Sequence, residues 1–197
     1  VKGVTMRIVP AGEFAMGSDN SNDEKPVHQV YLDGFYMDTY EVTNVAYRAC
    51  VNASICGLPR PADRYNNSIY KNHPVVYVDW YMAKAYCEWR GGSLPTEAQW
   101  EKASRGSDGR SYPWGDGNDC EKTNYNNCKG DTIVVGSYES GKSPYGIYDL
   151  AGNVWEWVAD WYSETYYENS PSENPLGPNS GQYRVMRGGS WYDYGFS

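Results

Sequence analysis

Apolar and polar residues alternate over much of residues 1–40, which is the pattern of half-buried β-strands. The first run contains Met6 and Ile8. A second extended stretch carries four more apolar residues, Val30, Leu32, Phe35 and Met37. Residues 17–26 lie between the two and are rich in Asp, Asn and Ser, so they are predicted to form a polar loop.

Three short helices are predicted further along the chain. Thr43 can cap a helix that runs through Ala49. A second helix begins near Asp79 and carries residues at helical spacing, namely Ala83, Tyr86 and Cys87. The segment Thr96-Glu-Ala-Gln99 has the form of a capping box, and Gly106 is placed to end the helix that this box opens.

Residues 106–148 consist largely of turns. Loops of this length inside a compact domain are usually functional, or are held by disulfides and ions. No repeat, linker or low-complexity tract divides the chain, so we predict one domain over residues 1–197. The content of 21 Gly and 11 Pro favours an irregular α+β fold with short strands and many turns.

The charge balance makes several partners unfavourable. The chain has 17 Lys and Arg against 25 Asp and Glu, which gives a net charge of −8. Because phosphate binding requires a basic patch, nucleic acids and anionic membranes are poor partners. No apolar run approaches the roughly 20 residues of a membrane span. Residues 1–10 lack the pattern of a signal peptide, so we expect any signal to have been removed.

Four of the five cysteines form two close pairs in Gly-, Asn- or Asp-rich segments. Cys50 pairs with Cys56 and Cys120 with Cys128, and neither spacing is the CxxC of a zinc or redox site. We interpret them as two disulfides that clamp loops, which favours an extracellular or periplasmic location. The alternative is reduced cysteines in a cytosolic protein. Cys87 is expected to be a free, buried thiol.

Common catalytic signatures are missing from the sequence. No Gly-x-Ser-x-Gly nucleophile turn occurs. The two histidines, His28 and His73, stand at positions where a histidine is most often structural. Aromatic residues are abundant, with 20 Tyr and 8 Trp against 3 Phe, and these two types suit both irregular cores and binding surfaces.

One carboxylate stands out within an apolar strand pattern. Alternation would place Val154, Glu156 and Val158 on one face of a strand and the tryptophans 155 and 157 on the other. Burying a carboxylate among apolar neighbours costs free energy unless a cation or hydrogen-bond donors compensate it. A bound cation would do so, and so would an ion pair with Arg184 or Arg187.

An ordered series of segments resembles the formylglycine-generating enzyme and sulfatase-modifying-factor family over nearly the whole chain. The segments are Val9–Gly17 (VPAGEFAMG), Tyr40–Asn44 (YEVTN), His73–Trp80 (HPVVYVDW), Leu94–Glu101 (LPTEAQWE), Tyr112–Asp116 (YPWGD), Ala151–Trp157 (AGNVWEW) and Arg187–Trp191 (RGGSW). The resemblance implies an irregular α+β domain of the C-type lectin-like type. Relatives continue for some tens of residues after the last segment, so we expect the C-terminal part of the domain to be missing from this sequence.

The resemblance also defines the expected chemistry. Enzymes of this family oxidise a substrate cysteine with copper held by two cysteines, the first of which follows Gly-Gly-Ser-aromatic by two residues. Here that position is Asp193, and the second would fall beyond Ser197. Copper(I) selects soft thiolates, so we expect neither copper nor oxidase activity. Another branch of the family uses iron held by several histidines, and two histidines do not suffice for it.

Calcium is the cofactor that the resemblance favours. Matching positions of the family bind calcium through the side chains of Asp149 and Glu156 and the carbonyls of Gly152 and Val154, an all-oxygen set that suits this ion. A second family site corresponds to Asn124 and the carbonyl of Tyr125. Asp131 is only an approximate equivalent of its remaining part, because the loop there is shorter.

The end of the sequence is rich in rigid aromatic side chains, which suit a binding surface. It also resembles the variable proteins of diversity-generating retroelements, in which the positions after the tryptophan are diversified. The candidate surface comprises Trp191, Tyr192, Asp193, Tyr194, Phe196 and Ser197. Its alternative is an ordinary core-facing strand.

Three functions therefore remain open. The leading hypothesis is a calcium-stabilised extracellular module that recognises a protein or glycan ligand. The second is a structural subunit that assembles with copies of itself through its aromatic residues. A formylglycine-generating oxidase is the third and is disfavoured by Asp193.

Overall fold

The computed structural model describes residues 4–117 and 119–194, and there the regular structure is sparse. The strands are β1 (Met6–Val9), β2 (Gly12–Met16), β3 (His28–Leu32), β4 (Phe35–Asp38), β5 (Glu156–Trp161) and β6 (Arg184–Arg187). They pair as three antiparallel two-stranded sheets, β1 with β4, β2 with β3 and β5 with β6. The predicted second extended stretch is thus two strands, which belong to different sheets and are separated at 33–34.

Three of the helices in the described ranges begin directly after the predicted capping residues, but the first runs to Asn52 and not only to the predicted Ala49. The helices are α1 (Asn44–Asn52), α2 (Asp63–Asn66), α3 (Trp80–Trp89) and α4 (Glu97–Arg105), of which α2 was not predicted. Thr43 caps α1 and Asp79 caps α3, each by accepting a backbone N–H with its side chain. The Thr96 and Gln99 capping box opens α4, and Gly106 follows its last residue with a φ of 73°. No helix in the described ranges is long and apolar enough to span a membrane.

Helix α4 packs into two of the three apolar clusters of the core. Its residues Trp100 and Ala103 pack with Val9, Ile147, Leu150, Val158 and Val185. Its residue Ala98 packs with Phe14, Met16, Val30, Leu32 and Tyr167. The third cluster joins α1, α2 and α3 through Tyr47, Cys50, Cys56, Tyr65 and Tyr86. The irregular α+β fold that the sequence predicts is confirmed.

The same helix carries charged side chains into the interior. Arg187 of β6 lies among three carboxylates, with N–O distances of 3.5 Å to Glu24, 3.6 Å to Glu101 and 3.9 Å to Glu97. Glu101, which is 1% exposed, also accepts the backbone N–H of Gly17 at 2.9 Å. The helix is therefore tied to β6 and to the loop after β2.

Lys102 makes a further polar tie between α4 and the N-terminal strands. Its ammonium group donates to the carbonyl oxygens of Pro10 at 2.9 Å and Gly12 at 2.7 Å. Both carbonyls lie at the turn between β1 and β2. The burial of this lysine is thus compensated by two hydrogen bonds.

Both predicted disulfides are present. Cys50 of α1 is bonded to Cys56, and Cys120 is bonded to Cys128 within the turn-rich region. Cys87 is free but only half-buried, because it stands at the edge of the third apolar cluster rather than inside it. Burial raises the pKa of its thiol to about 11, so the thiolate is scarce at neutral pH.

Glu97 should give the free energy of unfolding a measurable pH dependence. Burial raises its pKa to about 7. The folded state therefore holds this proton more tightly than the unfolded state, and stability falls as the pH rises from about 4 to 7. In denaturant titrations between pH 4 and 8, Glu97→Gln should show a shallower decline than the parent protein. The exposed Glu168→Gln variant is the control, and equal slopes for all three proteins would contradict the assignment.

Candidate functional site

Three buried or half-buried carboxylates lie near one another between α1 and β5. Glu41 and Glu156 line a largely apolar cleft of about 340 Å³, whereas Asp149 is buried and does not line it. Burial raises the pKa of Asp149 to about 6 and that of Glu156 to about 8. The pKa of Glu41 is raised well above its ordinary value by burial and then by the charges of the other two. The charge of Asp149 thus opposes ionisation of Glu41 and Glu156.

The hydrogen bonds of these carboxylates leave much of their charge uncompensated. Asp149 accepts the backbone N–H of Gly136 at 2.6 Å, and Glu156 accepts the indole N–H of Trp100 at 3.0 Å. In the described ranges, no three acidic, histidine or cysteine side chains are placed to hold a metal by themselves. A cation here would need backbone carbonyl or water ligands as well, which is the ligand set that calcium accepts.

The alternative prediction, that Glu156 forms an ion pair with Arg184 or Arg187, is wrong. Arg187 lies with Glu24, Glu97 and Glu101, as described above. The Arg184 guanidinium is stacked between the rings of Trp80 and Trp161, at 3.6 and 3.4 Å from their centroids. Both arginines thus have other partners.

Asn153 connects the carboxylates to the rest of the site. Its side chain donates to Glu41 at 2.6 Å and accepts the backbone N–H of Ile133 at 3.0 Å. Its carbonyl accepts the N–H of Trp191 at 2.9 Å. Sequence reasoning assigned no role to Glu41 or Asn153, although both lie within the segments that carry the family resemblance.

Gly152 lies where a larger residue cannot fit. Its φ is 83°, and a Cβ atom would come within 2.5 Å of the carbonyl oxygen of Asn124. The glycine therefore lets the Asp149–Glu156 segment pack directly on the loop that holds Asn124. The close contact between Gly152 and Asn124 thus joins the two candidate calcium sites.

The second candidate calcium site is only partly assembled. Asn124 is 1% exposed, and its side-chain oxygen is buried without a hydrogen bond, while its NH₂ group donates to the carbonyl of Asp131 at 2.8 Å. The carboxylate of Asp131 instead pairs with Arg64 at 2.5 Å and accepts the Tyr70 hydroxyl at 2.8 Å. The carbonyl of Tyr125 accepts the N–H of Cys128.

Asp193 has a structural role at the position where the family resemblance places a catalytic cysteine. Its carboxylate accepts the backbone N–H of Ser190 at 2.9 Å and the hydroxyl of the same residue at 2.6 Å. These bonds close a turn over residues 190–193. A carboxylate bound in this way fixes the backbone of the segment.

The turn presents two aromatic side chains to solvent. Tyr192 is 61% exposed and Tyr194 is 78% exposed, whereas Trp191 is half-buried and packs edge-on against Tyr192. Residues 191–194 form a turn and not the core-facing strand that was the alternative interpretation. Phe196 and Ser197 lie outside the described residues.

The loop closed by the Cys120–Cys128 disulfide is hydrogen-bonded to this turn. Two consecutive residues of the loop, Asn126 and Asn127, donate their backbone N–H groups to the carbonyls of Asp193 at 2.9 Å and Trp191 at 2.8 Å. Both asparagines have positive φ, which few residues other than Asn and Gly adopt readily. The disulfide and the two asparagines therefore set the position of the aromatic turn.

The two histidines each pack against a tyrosine ring. His28 contacts the ring of Tyr167 edge-on, and His73 contacts that of Tyr70. Burial lowers the pKa of His73. They have different partners and form no shared metal site in the described part of the chain.

Comparison with known proteins gives a consistent match. The family described as "Sulfatase-modifying factor enzyme 1-like domain" matches residues 2–197. The chain is 41% identical over 213 residues to the serine/threonine-protein kinase pkn1 of Chlamydia pneumoniae, covering 94% of the chain but 33% of that protein. It therefore spans about a third of this relative.

Two further relatives are similar over most of their own length. The formylglycine-generating enzyme of Streptomyces coelicolor is 35% identical over 248 residues, covering 93% of this chain and 77% of the enzyme. The inactive C-alpha-formylglycine-generating enzyme 2 of Bos taurus is 33% identical over 248 residues, covering 96% and 77%. Among solved structures, Treponema denticola variable protein 1 superposes with a TM-score of 0.78 and 26% identity, covering 97% of this chain and 86% of that one.

Loss of the Cys120–Cys128 disulfide should loosen the aromatic turn selectively. In a Cys120→Ser/Cys128→Ser variant, we expect faster amide exchange at residues 191–194 and faster chymotryptic cleavage after Tyr192. The matched control is Cys50→Ser/Cys56→Ser, which should affect α1 and leave the turn protected. Equal protection of residues 191–194 in both variants would contradict the support that the loop is inferred to give.

Proposed function

Because this chain belongs to the sulfatase-modifying factor enzyme 1-like domain family, we propose that it uses the family fold, of the C-type lectin-like type, for recognition and not for catalysis. The observation that carries the proposal is the position of Asp193 and its hydrogen bonds to Ser190. This residue stands at the cysteine position of the family, and its carboxylate bonds Ser190. A hard oxygen ligand cannot replace the thiolate that copper(I) requires.

The surface next to Asp193 supports a binding role. Tyr192 and Tyr194 project into solvent on a backbone that is fixed by hydrogen bonds. Tyrosines held in this way offer a large contact area at a low entropic cost. Treponema denticola variable protein 1 has the same fold. The inactive C-alpha-formylglycine-generating enzyme 2 of Bos taurus is among the relatives. The proposed ligand is a protein or a glycan.

Calcium is proposed as a structural cofactor. Glu41, Asp149 and Glu156 are three acidic groups whose burial is unfavourable in the absence of a cation. Asp149 and Glu156 would hold the ion together with the carbonyls of Gly152 and Val154, and Glu41 would add a third carboxylate. The unpaired oxygen of Asn124 supports a second, weaker site with Tyr125, to which Asp131 would contribute only its carbonyl.

The two disulfides support a proposal about where the protein is located, and the match to part of a longer relative supports a proposal about its domain context. Disulfides persist in oxidising compartments, so the two bridges favour an extracellular or periplasmic location. The chain matches a third of the Chlamydia pneumoniae kinase. We therefore propose that it can serve as one recognition domain of a larger protein.

Calcium should raise the melting temperature, and removing a ligand carboxylate should abolish this effect. An ion at 100 times its Kd stabilises the native state by about 2.7 kcal/mol, which corresponds to several degrees for a domain of this size. In Asp149→Asn, the melting curves in calcium and in excess chelator should coincide. In chelator alone, this variant should be at least as stable as the parent protein, since one buried charge is gone.

Asp160→Asn is the matched control for the calcium experiment. Asp160 is also a buried carboxylate whose pKa burial raises to about 6, but it accepts the N–H of Glu97 away from the site. This variant should keep the calcium shift. A parent protein with the same melting curve in calcium and chelator, and with no bound metal by elemental analysis, would contradict the cofactor.

Tests of activity and of binding separate the three functional hypotheses. With copper(I) and a sulfatase-type cysteine peptide, mass spectrometry should detect no aldehyde product, while the Streptomyces coelicolor enzyme supplies the positive control. On glycan and peptide arrays, Tyr192→Ala/Tyr194→Ala should lose at least tenfold in signal, whereas Tyr36→Ala, which removes another exposed tyrosine, should not. Turnover would support the oxidase, and a Tyr192/Tyr194-dependent oligomer in light scattering would support self-assembly.

A further inference from the structure

A second cavity, of about 280 Å³, lies beside the β5–β6 sheet at the loop that precedes β3. It is separate from Asp149 and from the turn at residues 190–193. Its polar side chains include Asp23, Glu24, Glu97 and Arg187, and its walls include Trp155, Trp161 and Tyr162. The proposed recognition surface and the candidate calcium ligands do not explain this combination.

The polar groups of this cavity are incompletely hydrogen-bonded to one another. The N–O distances from Arg187 to its carboxylates, 3.5 to 3.9 Å, are too long for direct hydrogen bonds, and its Nε has no partner. The hydroxyl of Tyr167, a residue that is 5% exposed, interacts with Glu97 but makes no hydrogen bond of normal geometry. At distances of 3.5 to 3.9 Å the guanidinium group makes ion pairs but no direct hydrogen bonds with the carboxylates, so the side chains of Arg187, Glu97 and Glu24 that line the cavity keep capacity for hydrogen bonds with a ligand.

The walls of the cavity are aromatic and partly open to solvent. Trp155 is 37% exposed and Tyr162 is 40% exposed. Arg184 stacks on Trp161 and, together with Trp80 on its other side, holds that ring in place. The Tyr162 hydroxyl donates to Asp23 at 3.1 Å, which fixes its ring as well. These rings are rigid apolar surfaces next to a polar floor.

The charges in the cavity are mixed. Carboxylates of Asp23, Glu24 and Glu97 stand near the guanidinium groups of Arg184 and Arg187. The two arginines oppose an organic cation, and the carboxylates oppose an anion. A hydroxyl group, in contrast, both donates and accepts, so it can bridge Arg187 and Glu97.

We propose that this cavity binds a neutral sugar ring. Its hydroxyls would hydrogen-bond Glu97, Glu24 and Arg187, and the C–H face of the ring would pack on Tyr162 and Trp155. The volume is slightly below the roughly 300–1,000 Å³ of small-molecule sites, which suits a ligand no larger than a single ring. This site is distinct from the proposed surface at Tyr192 and Tyr194, so it adds a second ligand-binding site to the domain.

The test is a titration with the methyl glycosides of glucose, mannose and galactose, followed by tryptophan fluorescence and ligand-observed NMR. At least one glycoside should bind with a Kd of about 1 mM or tighter, or about −4 kcal/mol. Glu97→Gln, which keeps the side-chain shape, and Tyr162→Ala should each weaken binding at least fivefold. Tyr81→Ala, which removes an exposed tyrosine outside the cavity lining, should bind like the parent protein.

Several results would overturn the assignment. The first is no binding of any glycoside at a concentration 50-fold above about 1 mM. The second is an affinity of the Glu97→Gln and Tyr162→Ala variants equal to that of the parent protein. The third is stronger binding of the cationic probe agmatine than of the sugars. Loss of sugar binding in Tyr192→Ala/Tyr194→Ala alone would place the sugar at the proposed recognition surface and also overturn the cavity site. Failure of the cavity and failure of the recognition surface are thus distinguished by different variants.

Discussion

The structure depends on the charged side chains that α4 carries into the interior. Two-stranded sheets are marginally stable by themselves, and here the three sheets are joined through this helix. Glu97 and Glu101 reach Arg187 on β6, while Lys102 bonds carbonyls at the turn between β1 and β2. Removing one partner of a buried charged pair costs about 3–5 kcal/mol, because the other charge is then left unpaired. The helix thus fixes the relative position of elements far apart in sequence.

A second set of buried charges differs from the first in having no cationic side chain among its described partners. Glu41, Asp149 and Glu156 accept neutral donors, and burial raises their pKa values, with a further contribution from the neighbouring carboxylates at Glu41 and Glu156. A group held in an unfavourable state by its surroundings is a common property of binding sites. The network around Arg187 stabilises the fold through its own charges, whereas the carboxylates around Glu41 are suited to a cation from solution.

The proposed recognition surface is built from the same segments as the candidate cation site. Asn153 donates a hydrogen bond to Glu41 through its side chain and accepts one from Trp191 through its carbonyl. The loop closed by Cys120 and Cys128 donates backbone hydrogen bonds to Trp191 and Asp193. Asp193 adds two hydrogen bonds to Ser190. The carboxylate at this position therefore hydrogen-bonds the turn to itself, and the proposed recognition role rests on this arrangement.

Local rules in the sequence determined where three of the described helices begin and which cysteines form disulfides, but not where α1 ends or that α2 exists. Thr43, Asp79 and the Thr96–Gln99 capping box each act within one helical turn, and the cysteine pairs are eight or fewer residues apart. Only the tertiary structure decided that Arg187 joins Glu24, Glu97 and Glu101 and that Glu41 joins Asp149 and Glu156. These partners are separated by many residues, so no periodicity or spacing relates them. Their pairing follows from burial, because a charge that leaves water must take whichever partner the folded chain brings within reach.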